Sequence, residues 1–143
     1  MIIMIRVVDL GDDIENTIKP ENLGKLSLTN MWIELVDPTE DELRAVSDAA
    51  QLPKSFLSLP PSDGVVDLRL EMGFVIVYFL VMHDVLSTKE AYPVIIAFSK
   101  DFLITVTRKE IHPVINLAKE RLSKSKVDPP AQVTYYIIDE IVA

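Results

Sequence analysis

The chain has 143 residues, enough for one domain with its own hydrophobic core. Apolar residues make up 49% of it, which excludes a disordered chain, and the formal net charge of -8 argues against a nucleic-acid partner. Cysteine is absent, which excludes disulfides, thiolate metal sites and thiol catalysis, and the longest apolar run, nine residues from Phe74 to Met82, is too short for a membrane helix of about 20 residues.

In the first third of the chain the sequence predicts two strands and, in the irregular segment between them, a short edge strand. Residues 1–10 are rich in Ile and Val and predict a strand that ends at the turn 11–13. Residues 12–30 are polar and irregular, and we expect a short edge strand near 26–28. The run 31–36 alternates, which places Met31, Ile33 and Leu35 on one face of a strand and Trp32, Glu34 and Val36 on the other.

A helix start is the clearest local signal that follows. Asp37 is predicted to cap the helix, with Pro38 in its first position and Glu40 reaching back to the Asp37 amide. The helix should end near Gln51, after an apolar stripe of Leu43, Val46, Ala49 and Ala50. A short helical segment is predicted from 53 to 59, before a Pro- and Gly-containing break at 60–64.

The middle of the chain predicts further strands. Residues 65–71 alternate imperfectly and predict one strand, and the run 74–82 predicts a central strand buried on both faces. After a turn at 87–90, Pro93 to Ser99 and Phe102 to Thr107 predict a hairpin joined by Lys100 and Asp101.

Two helices are predicted to close the chain. The first spans 111–124, with Pro113 at its start and one side formed by Val114, Leu117, Ala118, Arg121 and Leu122. The second opens at 128–130 and carries Val133, Tyr136, Ile137 and Ile141 at helical spacing. No capping residue follows at 141–143, so we expect this helix to be cut and the chain to be part of a larger protein. Residues 1–143 are thus predicted to form a single α/β domain.

Catalytic and cofactor-binding residues are not evident, and we expect no enzyme. His83 and Asp84 form the one dyad suited to acid–base work or metal binding, but a polar pair at a strand exit is the favoured interpretation. The paired acids at 12–13 and 40–42 lack the spacing of a calcium loop. Residues 1–50 carry eleven acidic and four basic side chains, which fits cation attraction, a partner surface or simply a solvated face.

Several segments, read in order, resemble CorA-type divalent-cation transporters. They are Trp32-Ile33-Glu34-Leu35 with Pro38-Thr39 and Glu42-Leu43, the stretch around Pro53, the strand 74–77, the hairpin 95–106, and the helical segments 113–122 and 135–139. The hairpin is close to the family's "F-L-x-K-N-F-L-(I/V)-T-V". The resemblance runs from about residue 31 to 143 and implies a mixed, largely antiparallel β-sheet flanked by helices.

The resemblance also implies a function. In that family the cytoplasmic N-terminal domain of a homopentameric magnesium and cobalt channel leads into a stalk helix and two membrane helices, which this chain lacks. The implied role is regulatory, with Mg²⁺ or another divalent cation bound between subunits and the pore held closed. The implied partners are the stalk, the transmembrane region and other copies of the chain, with the domain on the cytoplasmic side of the membrane. Asp139 matches a position that contributes to an interface metal site in some members, and a structural hydrogen bond is its other interpretation.

The chain departs from the family pattern in two places. Where the family often has Leu-Glu-Asp, the chain has Leu57-Ser58-Leu59, and the usual Arg-Pro-Lys is replaced by Val65-Val66-Asp67. These differences leave open whether the regulatory metal site is intact. Three alternatives stay open beside the transporter domain: a related zinc transporter, a stand-alone interaction module that pairs through the last helix, and a small enzyme using His83 and Asp84.

Overall fold

The computed structural model describes residues 5–12, 14–58, 66–85, 88–123 and 126–142, with the side chains of 66, 67, 71, 79, 82–85 and 88–91 left aside. The strands, in chain order, are β1 (Ile5–Asp9), β2 (Ile14–Ile18), β3 (Met31–Val36), β4 (Val66–Glu71), β5 (Phe74–Val85), β6 (Thr88–Phe98) and β7 (Phe102–Thr107). The helices are α1 (Pro20–Leu23), α2 (Glu40–Ala50), α3 (His112–Lys119) and α4 (Pro130–Val142), with a 3₁₀ turn at Lys54–Phe56.

The strands form one sheet in the order β2-β1-β3-β7-β6-β5-β4. The β3–β7 pair is parallel and the other neighbouring pairs are antiparallel. The predicted fold class, a mixed and largely antiparallel sheet flanked by helices, is therefore confirmed. The predicted hairpin is β6–β7, in which Ile95 lies opposite Val106 and Phe98 opposite Leu103.

Each face of the sheet has its own hydrophobic core. Ile33, Leu35 and Ile104 pack against Leu43 and Val46 of α2 on one face. The core of the other face brings α3 and α4 onto the sheet and contains Trp32, Ile96, Leu103, Ile115, Ala118, Val133 and Ile137. Each fully buried valine, leucine or isoleucine among them contributes about 1.5–3 kcal/mol. The predicted alternation of β3 is confirmed, and it directs Glu34 toward the α3 side together with Trp32.

The start of α2 differs from the prediction. Thr39 caps the helix, since its hydroxyl accepts a hydrogen bond from the Glu42 amide while the Glu42 carboxylate accepts one from the Thr39 amide. Asp37 is instead in the left-handed region at φ 45°, and its amide donates to the Thr107 carbonyl at 2.9 Å. The tie to β7 keeps Asp37 outside the helix, so the predicted cap at Asp37 was wrong by two residues. The predicted end is confirmed, with Gln51 in the left-handed region.

The sheet edges also differ from the prediction. Residues 26–28 form no strand, and the edge strand is β2, whose residues are mostly exposed and so give no apolar periodicity. β5 is not central: it lies next to the edge strand β4, with Phe74 and Ile76 buried on one side and Val75 and Val77 only half-buried on the other. The apolar run 74–82 therefore does not mean burial on both faces. The predicted turn at 87–90 was wrong from residue 88 onward, because β6 begins there.

The C-terminal helices begin where the prolines predict. Pro113 lies in the first turn of α3, and Pro130 begins α4. α3 ends at Lys119 rather than 124, and Leu117, predicted on the packed side, is 47% exposed. The predictions for residues 1–4, 13, 59–65, 86–87, 124–125 and 143 fall outside the described residues.

Candidate functional site

A buried charge cluster lies between β3 and α3. The side chain of Glu34, in the middle of β3, is only 1% exposed. Its Oε2 lies 2.5 Å from Lys119 Nζ and its Oε1 lies 3.6 Å from His112 Nε2. His112 and Lys119 are seven residues apart on α3, two helical turns, so both point to the same strand. A carboxylate in such a place costs several kcal/mol of desolvation unless it is paired, so the ammonium of Lys119 makes its burial tolerable.

Strands β1 and β2 complete the charge cluster. Arg6 lies directly opposite Glu34 in the β1–β3 register, and its Nη1 is 2.9 Å from His112 Nε2. Glu15 of β2 accepts both Arg6 Nε at 3.0 Å and Lys119 Nζ at 3.1 Å on the same oxygen. The cluster of Arg6, Glu15, Glu34, His112 and Lys119 therefore ties three neighbouring strands to one helix.

His112 is neutral in this arrangement. A guanidinium only donates hydrogen bonds, so Nε2 of His112 must accept from Arg6, and the ring proton resides on Nδ1. Burial lowers the pKa of His112 below its ordinary value; Glu34 raises it, whereas Arg6 and Lys119 lower it further. The repulsion and burial together outweigh the attraction of Glu34, which agrees with the neutral form that the hydrogen bond requires.

A cavity of about 280 Å³ opens beside the cluster. It is lined by Arg6, Thr17, Glu34, Val36, Glu42 and His112. Although Glu34 is ion-paired, no group among the described residues gives either of its oxygens a hydrogen bond of good geometry. The cavity thus places a buried carboxylate, an imidazole and a guanidinium beside space into which a side chain can move.

A second cavity, of about 360 Å³, lies where the parallel strands β3 and β7 end. Its lining includes Asp37, Glu40, Ser58 and Arg108. The charges are satisfied locally: Arg108 Nε lies 2.9 Å from Asp37 Oδ1, and Lys54 pairs closely with Glu40, whose pKa that hydrogen bond lowers. This cavity holds Ser58, at the position where the resembling family often has an acid.

Asp139, the metal ligand suggested by the resemblance, lies on α4 and pairs with Arg121, two residues after the end of α3. Arg121 Nη1 is 2.7 Å from Asp139 Oδ2 and 3.3 Å from Glu140 Oε1, and its guanidinium stands 4.7 Å from the Tyr136 ring centroid. The hydrogen bond that Arg121 donates to Asp139 is the largest cause of the raised pKa of Arg121. A cation at Asp139 must therefore compete with an arginine, and the metal role of Asp139 stays a prediction.

The remaining sequence candidates, His83 and Asp84, stay predictions. His83 and Asp84 lie within β5, opposite Glu90 and Lys89 of β6, and their side chains are outside the described set. Over the described residues, no group of three or more His, Asp or Glu side chains could hold a metal ion. The charge cluster was not predicted from the sequence, although Glu34, on the same face of an alternating strand as Trp32, was a signal for it.

Comparison with known proteins connects the chain to one family. The sequence model described as "CorA-like Mg2+ transporter protein" matches residues 27–143. The complete CorA magnesium transporter of Methanocaldococcus jannaschii has a similar structure, with a TM-score of 0.64 at 16% identity over 99% of this chain and 45% of that one. The soluble domain of CorA from the same organism gives 0.64 at 17% identity over 96% of this chain and 55% of that one.

The structural likeness extends to a differently named relative. The ZntB cytoplasmic domain from Vibrio parahaemolyticus RIMD 2210633 gives a TM-score of 0.61 at 13% identity over 99% of this chain and 58% of that one. These identities are low, so the likeness shows the fold. The chain spans about half the length of the solved relatives. It matches no curated protein sequence, and none of the helices in its described part is long and apolar enough to cross a membrane.

Proposed function

The chain belongs to the family of CorA-like Mg2+ transporter proteins, and we propose that it is the cytoplasmic regulatory domain of a divalent metal-ion transporter. The observation that carries this proposal is the family match over residues 27–143, which includes β3, α2, the β6–β7 hairpin and both C-terminal helices. The domain senses ions and catalyses no reaction. Its partners are the stalk and transmembrane region of the same protein and further copies of the chain in a homopentamer.

The proposed mechanism uses the preference of Mg²⁺ for oxygen ligands. Mg²⁺ binds one or two carboxylates and keeps several waters, so it can bridge acidic groups of neighbouring subunits. A bridge of that kind replaces like-charge repulsion and therefore stabilises the subunit arrangement in which the acids are close. An ion that binds one arrangement more tightly shifts the equilibrium toward it, here the closed pore.

Asp139 is the proposed contribution of this chain to the bridge. It lies on α4 beside Glu140, and both carboxylates contact the single guanidinium of Arg121. Two acids that share one cation carry a net negative charge, which leaves attraction for a divalent ion. The formal net charge of -8 for the whole chain acts in the same direction.

The first test is the gene beyond residue 143. Two apolar segments of about 20 residues each are required for membrane helices, and their absence would exclude the transporter domain in favour of a stand-alone module. Uptake of Mg²⁺, Co²⁺ and Zn²⁺ by the full-length protein in liposomes then separates a magnesium and cobalt transporter from a related zinc transporter.

Regulation is tested in the same liposomes by loading them with Mg²⁺. We expect internal Mg²⁺ to slow uptake, and Asp139→Asn to raise the internal concentration needed for half-inhibition. Asp41→Asn is the matched control, because it removes one exposed carboxylate from α2, outside the proposed site. The same concentration for half-inhibition in both variants and the unaltered protein would exclude Asp139 as a sensor. Uptake that does not depend on internal Mg²⁺ would exclude regulation.

A further inference from the structure

The Nε2 atom of His112 lies between two groups of opposite charge. Arg6 Nη1 is 2.9 Å away and Glu34 Oε1 is 3.6 Å away. A ring nitrogen that accepts a hydrogen bond cannot at the same time donate one. Because Nε2 accepts from Arg6, its lone pair is used, and Glu34 receives no hydrogen bond from it.

We propose that Arg6, His112 and Glu34 form a proton-operated switch. Protonation moves the hydrogen bond of His112, in the first turn of α3, from Arg6 of β1 to Glu34 of β3. With neutral His112, α3 is tied to Arg6 of β1. With protonated His112, Nε2 becomes a donor, the Arg6 hydrogen bond is lost, and Nε2 binds the buried Glu34 carboxylate of β3. A shift of about half an ångström to one ångström brings 3.6 Å to an ordinary charge-assisted hydrogen bond.

The surroundings provide a position for the displaced arginine. Arg6 keeps Glu15 of β2 through its Nε at 3.0 Å, so its charge stays paired when Nη1 leaves the imidazole. The cavity of about 280 Å³ is lined by Arg6 itself and by Glu42 of α2. The guanidinium can therefore swing away from an imidazolium into a space that already contains a carboxylate, without leaving its strand.

The charges that face His112 oppose each other and set the pH range of the switch. Glu34 of β3 favours the protonated ring, whereas Arg6 of β1 and Lys119 of α3 disfavour it, and burial disfavours it as well. Glu15 of β2 and Glu42 of α2 add negative charge at the margin of the cluster and the cavity. Since the pKa of His112 is below its ordinary value, the ring is neutral near pH 7 and the exchange takes place on acidification.

The exchange is connected to the rest of the C-terminal helices. Lys119, at the other end of α3, pairs with Glu34 and stands 5.8 Å from the centroid of the Trp32 ring. A new hydrogen bond to Glu34 weakens the ion pair between Lys119 and that carboxylate. α3 also packs against α4, and Arg121, just after α3, is paired with Asp139 of α4. Protonation at His112 thus changes the electrostatics of the whole α3–β3 contact. The proposal rests on the charge cluster alone and does not depend on the transporter function.

Nuclear magnetic resonance of the imidazole nitrogens in the 143-residue chain tests the switch. At pH 8 we expect the ring proton of His112 on Nδ1, and on acidification a transition below the ordinary histidine pKa. The guanidinium resonances of Arg6 should change with the same midpoint and should lose that transition in His112→Gln. His83→Gln assigns the second histidine signal.

Variants separate the switch from a merely structural cluster. We expect Arg6→Gln to raise the pKa of His112 and Glu34→Gln to lower it. Arg44→Gln, which replaces an exposed arginine on α2, should leave the pKa of His112 unchanged. If Glu34→Gln fails to fold, Arg6→Lys keeps the positive charge and alters the donor geometry, and it should still change the midpoint of the His112 titration. A proton on Nε2 of His112 at pH 8, or Arg6 guanidinium resonances that do not change as His112 titrates, would overturn the proposal.

Discussion

Lys119 of α3 places its ammonium 2.5 Å from Oε2 of Glu34, a carboxylate buried in the middle of β3. The pair joins a strand and a helix that are far apart in the sequence. The lysine side chain is 14% exposed and that of Glu34 only 1%, so both charges are largely desolvated and each needs the other as a partner. The stability of the domain therefore depends on keeping this carboxylate paired.

Removal of Lys119 is expected to destabilise the domain strongly. Lys119→Met leaves Glu34 buried with a weaker compensating charge, which costs about 3 kcal/mol of unfolding free energy. The double variant Glu34→Leu/Lys119→Met should recover most of that loss, since a packed apolar pair avoids the desolvation cost. Urea unfolding of the unaltered chain, Glu34→Leu, Lys119→Met and the double variant measures the effect. If Lys119→Met were as stable as the unaltered chain, the unpaired Glu34 carboxylate would carry no desolvation cost.

The cap of α2 can be assigned by a second pair of variants. Thr39→Ala removes the acceptor for the Glu42 amide and should cost about 1 kcal/mol of unfolding free energy. Thr29→Ala, at an exposed loop position outside any helix, is the control and should change stability little. Equal losses from the two alanine variants would argue against the capping box at Thr39.

The capping box shows how far the sequence determines the fold. Asp37 with Glu40 and Thr39 with Glu42 satisfy the same spacing rule, and the choice between them depends on the hydrogen bond from Asp37 to Thr107 of β7, a contact that the local sequence does not contain. β3, α2 and the β6–β7 hairpin were predictable because their apolar periodicity agrees with their burial. β2 was not, since its pairing with β1 leaves mostly exposed polar side chains.

The charge cluster was unpredictable for a related reason. Its members come from three strands and a helix, and the sheet order, with β3 between β1 and β7, is what brings Arg6 next to Glu34 and His112. No spacing in the sequence encodes that order. The one local signal, an acid at an inward position of β3, indicates a buried charge and leaves its partners open.

Stability should fall on acidification because of His112. The unfolded chain has the ordinary histidine pKa near 6.5 and the folded chain a lower one, so the unfolded state binds more protons between the two values. The contribution of His112 is fully present above the unfolded pKa and is lost as the pH falls toward the folded one. Unfolding free energies at pH 8, 7, 6 and 5.5 measure it. The slope between pH 7 and the folded pKa should be smaller in His112→Gln, and an unchanged slope would contradict the pKa shift.

The indole of Trp32 provides a test of the α3-side core. Trp32 is fully buried, and its Nε1 donates to Thr105 Oγ1 at 3.0 Å. Thr105→Val keeps the shape and removes the acceptor, which should cost about 1–3 kcal/mol because the indole N–H is left unsatisfied. Leu70→Ala is the control: its leucine is 75% exposed on β4, so little burial is lost. Thermal unfolding followed by Trp32 fluorescence reports both, and equal midpoints would contradict the hydrogen bond.

Release of Asp139 from Arg121 should separate its structural role from its proposed sensing role. Arg121→Gln removes the guanidinium from both Asp139 and Glu140, and because all three side chains are partly exposed, the expected loss of stability is small. The two acids then attract divalent cations without competition, so in the full-length protein half-inhibition of uptake should occur at a lower internal Mg²⁺ concentration. Arg44→Gln on α2 controls for the loss of one positive charge. A higher concentration for half-inhibition would mean that Arg121 organises the site rather than competing for it.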